Sequence, residues 1–197
     1  MSQYLDLREK IEDSKIEKAA EIIKNGGIVV FPTETVYGIA ANGLNAEAVK
    51  KIYIAKQRKQ EKPLILLISN KEMLEKITER ISDVEKRLIE AFWPGPLTLI
   101  LNKKPCVPNV VTAGQEMVGV RMTSGEIARK LIDASGVPLT APSANISGKP
   151  SGTNVEKIFE ELKDRVDCII DAGNSKDEIE STIVKVIDGV PNILRIR

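Results

Sequence analysis

A chain of 197 residues with 42% hydrophobic and 29% charged side chains has the balance of one soluble globular domain able to bury a core, which excludes a disordered or fibrous chain. A formal net charge of +1 supplies no global attraction to nucleic acid or anionic lipid, so any polyanion has to be met by a local cluster of cations. Histidine is absent, which removes Ser-His-Asp and Cys-His nucleophilic catalysis and His-ligated zinc.

Taken in chain order, Ser14 with Glu17 reads as a capping box that opens a helix running to about Asn25, where Gly26-Gly27 permits a left-handed stop. The β-rich run Ile28 to Phe31 follows, then a helix over Ala46 to Gln57 behind Asn45, then the apolar run Leu64 to Ile68. Ser82 with Glu85 is a second capping box, ahead of the run Leu97 to Leu101; Thr123 with Glu126 is a third, after Val118 to Met122. A helix over Val155 to Leu162 behind Asn154 and runs at Cys168 to Ile170, Thr182 to Ile187 and Ile193 to Ile196 complete the set. Seven strand candidates among five or more helices predict an α/β or α+β fold, an open twisted mixed sheet flanked by helices, in a single domain over 1–197. The runs at Leu64 and Leu97 are apolar throughout and suit strands covered on both faces; Val118-Gly-Val-Arg-Met122 alternates and predicts one functional or solvated side.

All apolar runs are far shorter than the ~20 residues of a membrane helix, and the polar start Met1 to Lys10 does not read as a signal peptide. Cys106 and Cys168 lie far apart and outside any C-x-x-C pattern, so they read as ordinary thiols of a reducing cytoplasm, the expected location.

Four polar stretches exceed what a core requires. Phe31-Pro-Thr-Glu-Thr-Val-Tyr-Gly38 supplies hydroxyls and a carboxylate after a buried-looking strand, although Pro, Thr and Gly also simply make turns. Lys56, Arg58, Lys59 and Lys62 gather enough cations to hold a triphosphate; equally, cations favour helix C-termini and stay solvated. Ala141-Pro-Ser-Ala-Asn-Ile-Ser-Gly-Lys-Pro-Ser-Gly-Thr153 offers donors, acceptors and glycines that let backbone N–H groups approach an anion, or a polar turn. No Walker loop and no G-x-G-x-x-G is present. Arg121 and Arg195 are lone cations in strand runs, with Glu180-Ser-Thr182 nearby; Gly119 on the face of Arg121 would leave room for a ligand to lie on the strand, the alternative being an exposed edge arginine.

Together these strings, with Trp93-Pro-Gly-Pro-Leu-Thr98, resemble the YrdC family of threonylcarbamoyl-AMP synthases over nearly the whole chain. The resemblance implies a YrdC and dihydroxybutanone-phosphate-synthase-like fold around a deep electropositive cavity, in the single-domain form. It implies synthesis of threonylcarbamoyl-AMP and pyrophosphate from L-threonine, bicarbonate and ATP for tRNA modification. The family's K-x-R and S-x-N elements fall on Lys56, Arg58, Ser143 and Asn145, which the resemblance makes the catalytic cluster. It further places ATP on Lys56, Arg58, Lys62, Met117, Ser143, Asn145, Ser151 and Arg195, and L-threonine on Thr33, Thr35, Leu67, Arg121, Ala141 and Ser181, with Arg121 on the carboxylate. Two positions depart from the pattern: Leu67 replaces a histidine and offers no hydrogen bond, and Met117 replaces a threonine and leaves only a backbone contact. Magnesium is expected to arrive on the ATP phosphates, with no metal site of the protein's own. The implied partners are tRNA-modifying threonylcarbamoyl transferase proteins.

Two rival readings share these residues. The same cavity would serve a double-stranded RNA or tRNA-binding module, against which the near-neutral charge weighs. A divergent paralogue would use another carbamoyl substrate; the hydrogenase-maturation carbamoyltransferases of this kind carry zinc-finger cysteines that this chain lacks.

Overall fold

The computed structural model describes residues 2–151, 154–175 and 179–197; Gly152 and Thr153 of the third polar stretch lie outside them. In chain order the elements are β1 (Gln3–Asp6), α1 (Asp13–Lys24), β2 (Val29–Phe31), β3 (Gly38–Ala40), α2 (Ala46–Lys56), β4 (Ile65–Ile68), α3 (Lys71–Ile77), α4 (Asp83–Phe92) and β5 (Leu97–Asn102). They continue with α5 (Asn109–Thr112), β6 (Met117–Met122), α6 (Glu126–Ser135), β7 (Leu139–Thr140), α7 (Val155–Leu162), β8 (Cys168–Asp171), β9 (Thr182–Ile187) and β10 (Val190–Arg195).

The mixed α/β architecture is the one expected, but the strands form two sheets where the sequence suggested one. The smaller is ordered β1-β8-β2-β3 and the larger β10-β9-β5-β6-β4-β7. Both mix directions: β8 lies parallel to β1 and β2, whereas β6 lies parallel to β4 and antiparallel to β5. β2 has both edges filled, by β8 on one side and β3 on the other, so the Val29–Phe31 strand does not pair with β4. Isolated bridges Gly38↔Ser143 and Asn42↔Leu139 tie the two sheets at the place where the third polar stretch begins.

Local signals set some helix starts and tertiary partners override others. Ser82 and Glu85 form their reciprocal capping box, Asn45 accepts from the N–H groups of Glu47 and Ala48, and Asn154 accepts from Lys157 N–H. The boxes expected at Ser14 and Thr123 do not form. Helix α1 starts at Asp13 behind Glu12, whose carboxylate instead takes Lys15 Nζ at 2.6 Å. The Thr123 hydroxyl donates to the Glu34 carboxylate, and Gly125 is left as the N-cap of α6.

The period-2 alternation of β6 separates two environments. Val118, Val120 and Met122 pack in one core with Leu66, Ile68, Leu99 and Leu101, while α1, α6, Phe31 and Leu67 build a second core. The side carrying Gly119 and Arg121 is buried, not solvated, because β6 runs between β4 and β5 and the loop after β2 lies over it. Gly119 is in register with Ile65 on one side and Ile100 on the other. A Cβ there would meet Ile65 Cγ2 at 2.9 Å and Ile100 Cδ1 at 3.4 Å, so the missing side chain makes room for two isoleucines and not for a ligand. Cys168 is a buried thiol that burial pushes up to about 12, and Cys106 is exposed. Among the described residues no helix is long and apolar enough to cross a membrane. Replacing Gly119 by Ala should overpack this junction and destabilise the protein by about 1–3 kcal/mol; urea denaturation checks it, and an unchanged midpoint would show that Ile65 and Ile100 yield freely.

Candidate active site

A cavity of about 180 Å³ opens between the two sheets. Thr33 with the segment from Thr35 to Gly38 forms one wall, Ala141 to Ser143 another, and Arg58 with Pro63 to Ile65 a third; Arg121, Glu180, Ser181, Ile183 and Arg195 stand between them. Among the described residues its charged lining is three arginines and one glutamate. Of the residues expected to bind, it collects Thr33, Thr35, Arg58, Arg121, Ala141, Ser143, Ser181 and Arg195, which arrive from widely separated parts of the chain.

The deep end is a chain of hydroxyls ending on a buried cation. Arg121 is only 3% exposed, and its Nη1 donates to Thr35 Oγ1 at 3.1 Å. The Thr33 hydroxyl donates to Val36 O at 2.7 Å, so at 2.9 Å from Thr35 Oγ1 it acts as acceptor; Thr35 donates to it and accepts from Arg121. Burial holds the Arg121 pKa below its ordinary value and Glu34 opposes the shift, but a guanidinium keeps its charge there. Ser181 Oγ lies 2.8 Å from Thr98 Oγ1, which fixes it beside this end.

At the mouth two more arginines are braced by backbone. Arg58 donates from Nη2 to Pro63 O at 3.0 Å and from Nε to Lys62 O at 3.3 Å, and burial lowers its pKa. Lys62 therefore contributes a carbonyl to Arg58, while its side chain is exposed and off the cavity wall. Arg195 donates from Nε to Ser181 O at 3.0 Å and pairs through Nη1 with the Glu180 carboxylate, whose other oxygen accepts from the Ser151 hydroxyl at 2.8 Å. Glu180, to which the sequence assigns no role, thus links β10 to the loop after β7.

Lys56 and Asn145 stand behind the wall. The Lys56 ammonium, 1% exposed, donates to Ser143 O, to Asn145 O at 2.7 Å and to Asn145 Oδ1 at 3.0 Å, which uses all three of its N–H groups. Asn145 also accepts from Ser143 Oγ at 2.7 Å and donates to Lys149 O at 2.7 Å, so this pair shapes the loop that presents Ser143. Met117 opens β6 opposite Asn102, four residues before Arg121 and away from the cavity lining. Leu67 is fully buried in the second core, in register with Arg121, and touches the site only through that packing. The sequence reading missed Thr98, Thr123 and Ile183; Thr98 was visible as the end of the Trp93–Thr98 string, whereas a lone isoleucine carries no signal.

Burial, reinforced by Arg58, lowers Lys56 to about 8 from 10.5. The folded state therefore bears the cost of the buried charge below pH 8, the unfolded lysine keeps its proton to about 10.5, and this group's contribution to stability rises with pH between those values. The expected outcome is that wild-type protein gains stability relative to Lys56→Met from pH 7 to pH 9.5, read by urea unfolding at both pH values; a constant difference would refute it.

A family model of the Sua5, YciO and YrdC proteins, described as telomere recombination, matches residues 21–196. The threonylcarbamoyl-AMP synthase of Pyrococcus abyssi is 46% identical over 195 residues, covering 99% of this chain and 57% of that protein. The Bacillus subtilis threonylcarbamoyl-AMP synthase is 43% identical over 98% of this chain and 56% of its own. The crystal structure of P. abyssi Sua5 complexed with L-threonine superposes with a TM-score of 0.95 at 46% identity, over 98% of this chain and 57% of that one. The chain spans a little over half the length of these relatives. Over 98% of its length it shares the fold of that structure, and it belongs to the Sua5/YciO/YrdC family.

Proposed function

We propose that this cavity makes threonylcarbamoyl-AMP and pyrophosphate from L-threonine, bicarbonate and ATP, for the modification of tRNA. The observation that carries the reading is the pairing of a deep end, where a buried guanidinium donates to the Thr35 hydroxyl and Thr35 in turn to Thr33, with a mouth where Arg58 and Arg195 flank the Ser143 loop. The carboxylate of an amino acid suits the first and a polyphosphate the second. The names of the relatives and the threonine complex of one of them support it.

In this reading the threonine carboxylate lies on Arg121, with Thr33, Thr35, Ala141 and Ser181 around the rest of the molecule. The free amine attacks dissolved carbon dioxide and loses a proton to water or bicarbonate, giving a carbamate. A carbamate oxygen then forms a bond to the α-phosphorus of ATP as the bond from that phosphorus to the bridging oxygen breaks, and pyrophosphate leaves. Alignment and neutralisation of charge carry such a displacement, and no side chain need form a covalent bond. Arg58 and Arg195 face the phosphates, Ser143 and Ser151 hold the nucleotide side of the mouth, and Lys56 with Asn145 keeps the Ser143 loop in place. Lys62 extends cationic surface outside the mouth, Met117 offers a backbone contact, and Leu67 shapes the site by packing beside Arg121. Magnesium enters with ATP on its phosphates and keeps several waters. The labile product is handed to a threonylcarbamoyl transferase that acts on tRNA, which makes the cytoplasm the natural location.

Purified protein incubated with ATP, magnesium, bicarbonate and L-threonine should yield threonylcarbamoyl-AMP by mass spectrometry only when all are present. ATP binding without product would overturn the reading in favour of a paralogue with another substrate; RNA affinity falling steeply with salt would favour a nucleic-acid module. Arg121→Ala should raise the threonine requirement strongly and leave ATP affinity near normal, and equal loss of both in titrations would remove Arg121 from the amino-acid end. Arg58→Ala should weaken nucleotide binding by about 1.5–3 kcal/mol through lost charged hydrogen bonds; an unchanged ATP titration would take Arg58 out of the site.

A further inference from the structure

Glu34 is the carboxylate of the Phe31–Gly38 string, and the proposed reaction gives it no task. It is nonetheless held firmly. Its side chain is 14% exposed, and one carboxylate oxygen accepts from the Thr123 hydroxyl, which leaves its expected helix cap to do so. Gly125 closes over it: a Cβ there would lie 3.0 Å from Glu34 N and 3.4 Å from Glu34 Oε2, so a larger residue would press on the carboxylate and its backbone. The other oxygen, Oε1, stands 4.0 Å from Arg121 Nε, and both atoms are buried with no hydrogen-bond partner among the described residues.

A purely structural ion pair would close to hydrogen-bond distance and use both forks. Here attraction acts across a gap, on the Nε side of the guanidinium, while Nη1 on the far side is pinned by Thr35. We propose that Glu34 is a positioning residue: it holds the Nε edge of Arg121 toward the Glu34–Thr123 wall, so that the end carrying the two terminal nitrogens faces the cavity and receives a carboxylate as a fork. Glu34 itself does not line the cavity and touches no substrate. The assignment rests on the amino-acid reading of the site, because it supposes a carboxylate ligand at Arg121.

Equilibrium binding of L-threonine and of L-threonine amide to wild-type protein, Glu34→Gln and Thr123→Val tests it. Glutamine keeps the size of the side chain and an acceptor for Thr123 but removes the charge facing Nε. The wild type should prefer the carboxylate over the amide, and Glu34→Gln should reduce that preference by about tenfold, with ATP affinity and thermal midpoint nearly unchanged. Thr123→Val, which frees the carboxylate from its anchor, should reduce the preference in the same direction by less. A merely structural role would weaken both ligands equally, and that outcome, or an unchanged ratio in Glu34→Gln, overturns the assignment alone. If Glu34→Gln does not fold, an unchanged ratio in Thr123→Val overturns it. Wild-type protein that binds neither ligand overturns the amino-acid reading and this assignment together.

Discussion

A guanidinium at 3% exposure is a charge taken out of water, and most of the surrounding architecture makes that burial tolerable. Arg121 sits in a strand with neighbours on both sides, so neither water nor an edge relieves it. The loop after β2 compensates from above, through the Thr35 hydroxyl and the more distant Glu34 carboxylate. That loop can lie there only because β2 belongs to a different sheet from β6, paired to β8 and β3. The division into two sheets and the buried cation are therefore one arrangement: the gap between the sheets is the cavity, and its closed end is where the charge is left.

The opposite wall depends on a second buried cation used in another way. Lys56 faces carbonyl and amide oxygens and is consumed by them, which turns the stretch from Ser143 to Asn145 into a rigid presenter of the Ser143 side. Arg58, two residues on, turns outward because Gln57 adopts a left-handed conformation at the end of α2, and its guanidinium then docks on the carbonyls of Lys62 and Pro63. One lysine and one arginine at near-neighbouring positions thus divide the labour between holding a loop and facing a ligand. Their chemistry suits the division, since a compact ammonium fits a cage of three oxygens and a planar fork is better matched to phosphate.

Much of the fold was legible from periodicity and caps. The elements at Ala46–Lys56, Asp83–Phe92, Val155–Leu162 and Thr182–Ile187 stand where Asn45, Ser82, Asn154 and the apolar runs place them. The short pieces β1, β3, β7, α3 and α5 were not foreseen, because two to seven residues carry too little pattern to separate strand or helix from loop. The caps at Ser14 and Thr123 failed for different reasons: α1 starts one residue before Ser14, behind Glu12, whereas the Thr123 hydroxyl is taken by the Glu34 carboxylate, 89 positions away, which no local rule sees.

By itself the sequence determined which side chains are available and in which local frames they sit: the hydroxyl string after one strand, the cations at the end of α2, the Ser-Asn loop and the absence of histidine. These follow from residue type and near-neighbour spacing, and they carry the family resemblance. Only the tertiary structure decided which of those groups meet. It withdrew Lys56, Asn145, Lys62, Met117, Leu67 and Ser151 from the cavity lining, gave the room at Gly119 to Ile65 and Ile100, and set Glu34 across a gap from Arg121. The reason is that burial and pairing are settled by contacts between residues such as Lys56 and Ser143, or Thr35 and Arg121, that lie more than eighty positions apart, and whether a charge faces a ligand or a carbonyl depends on which backbone arrives beside it.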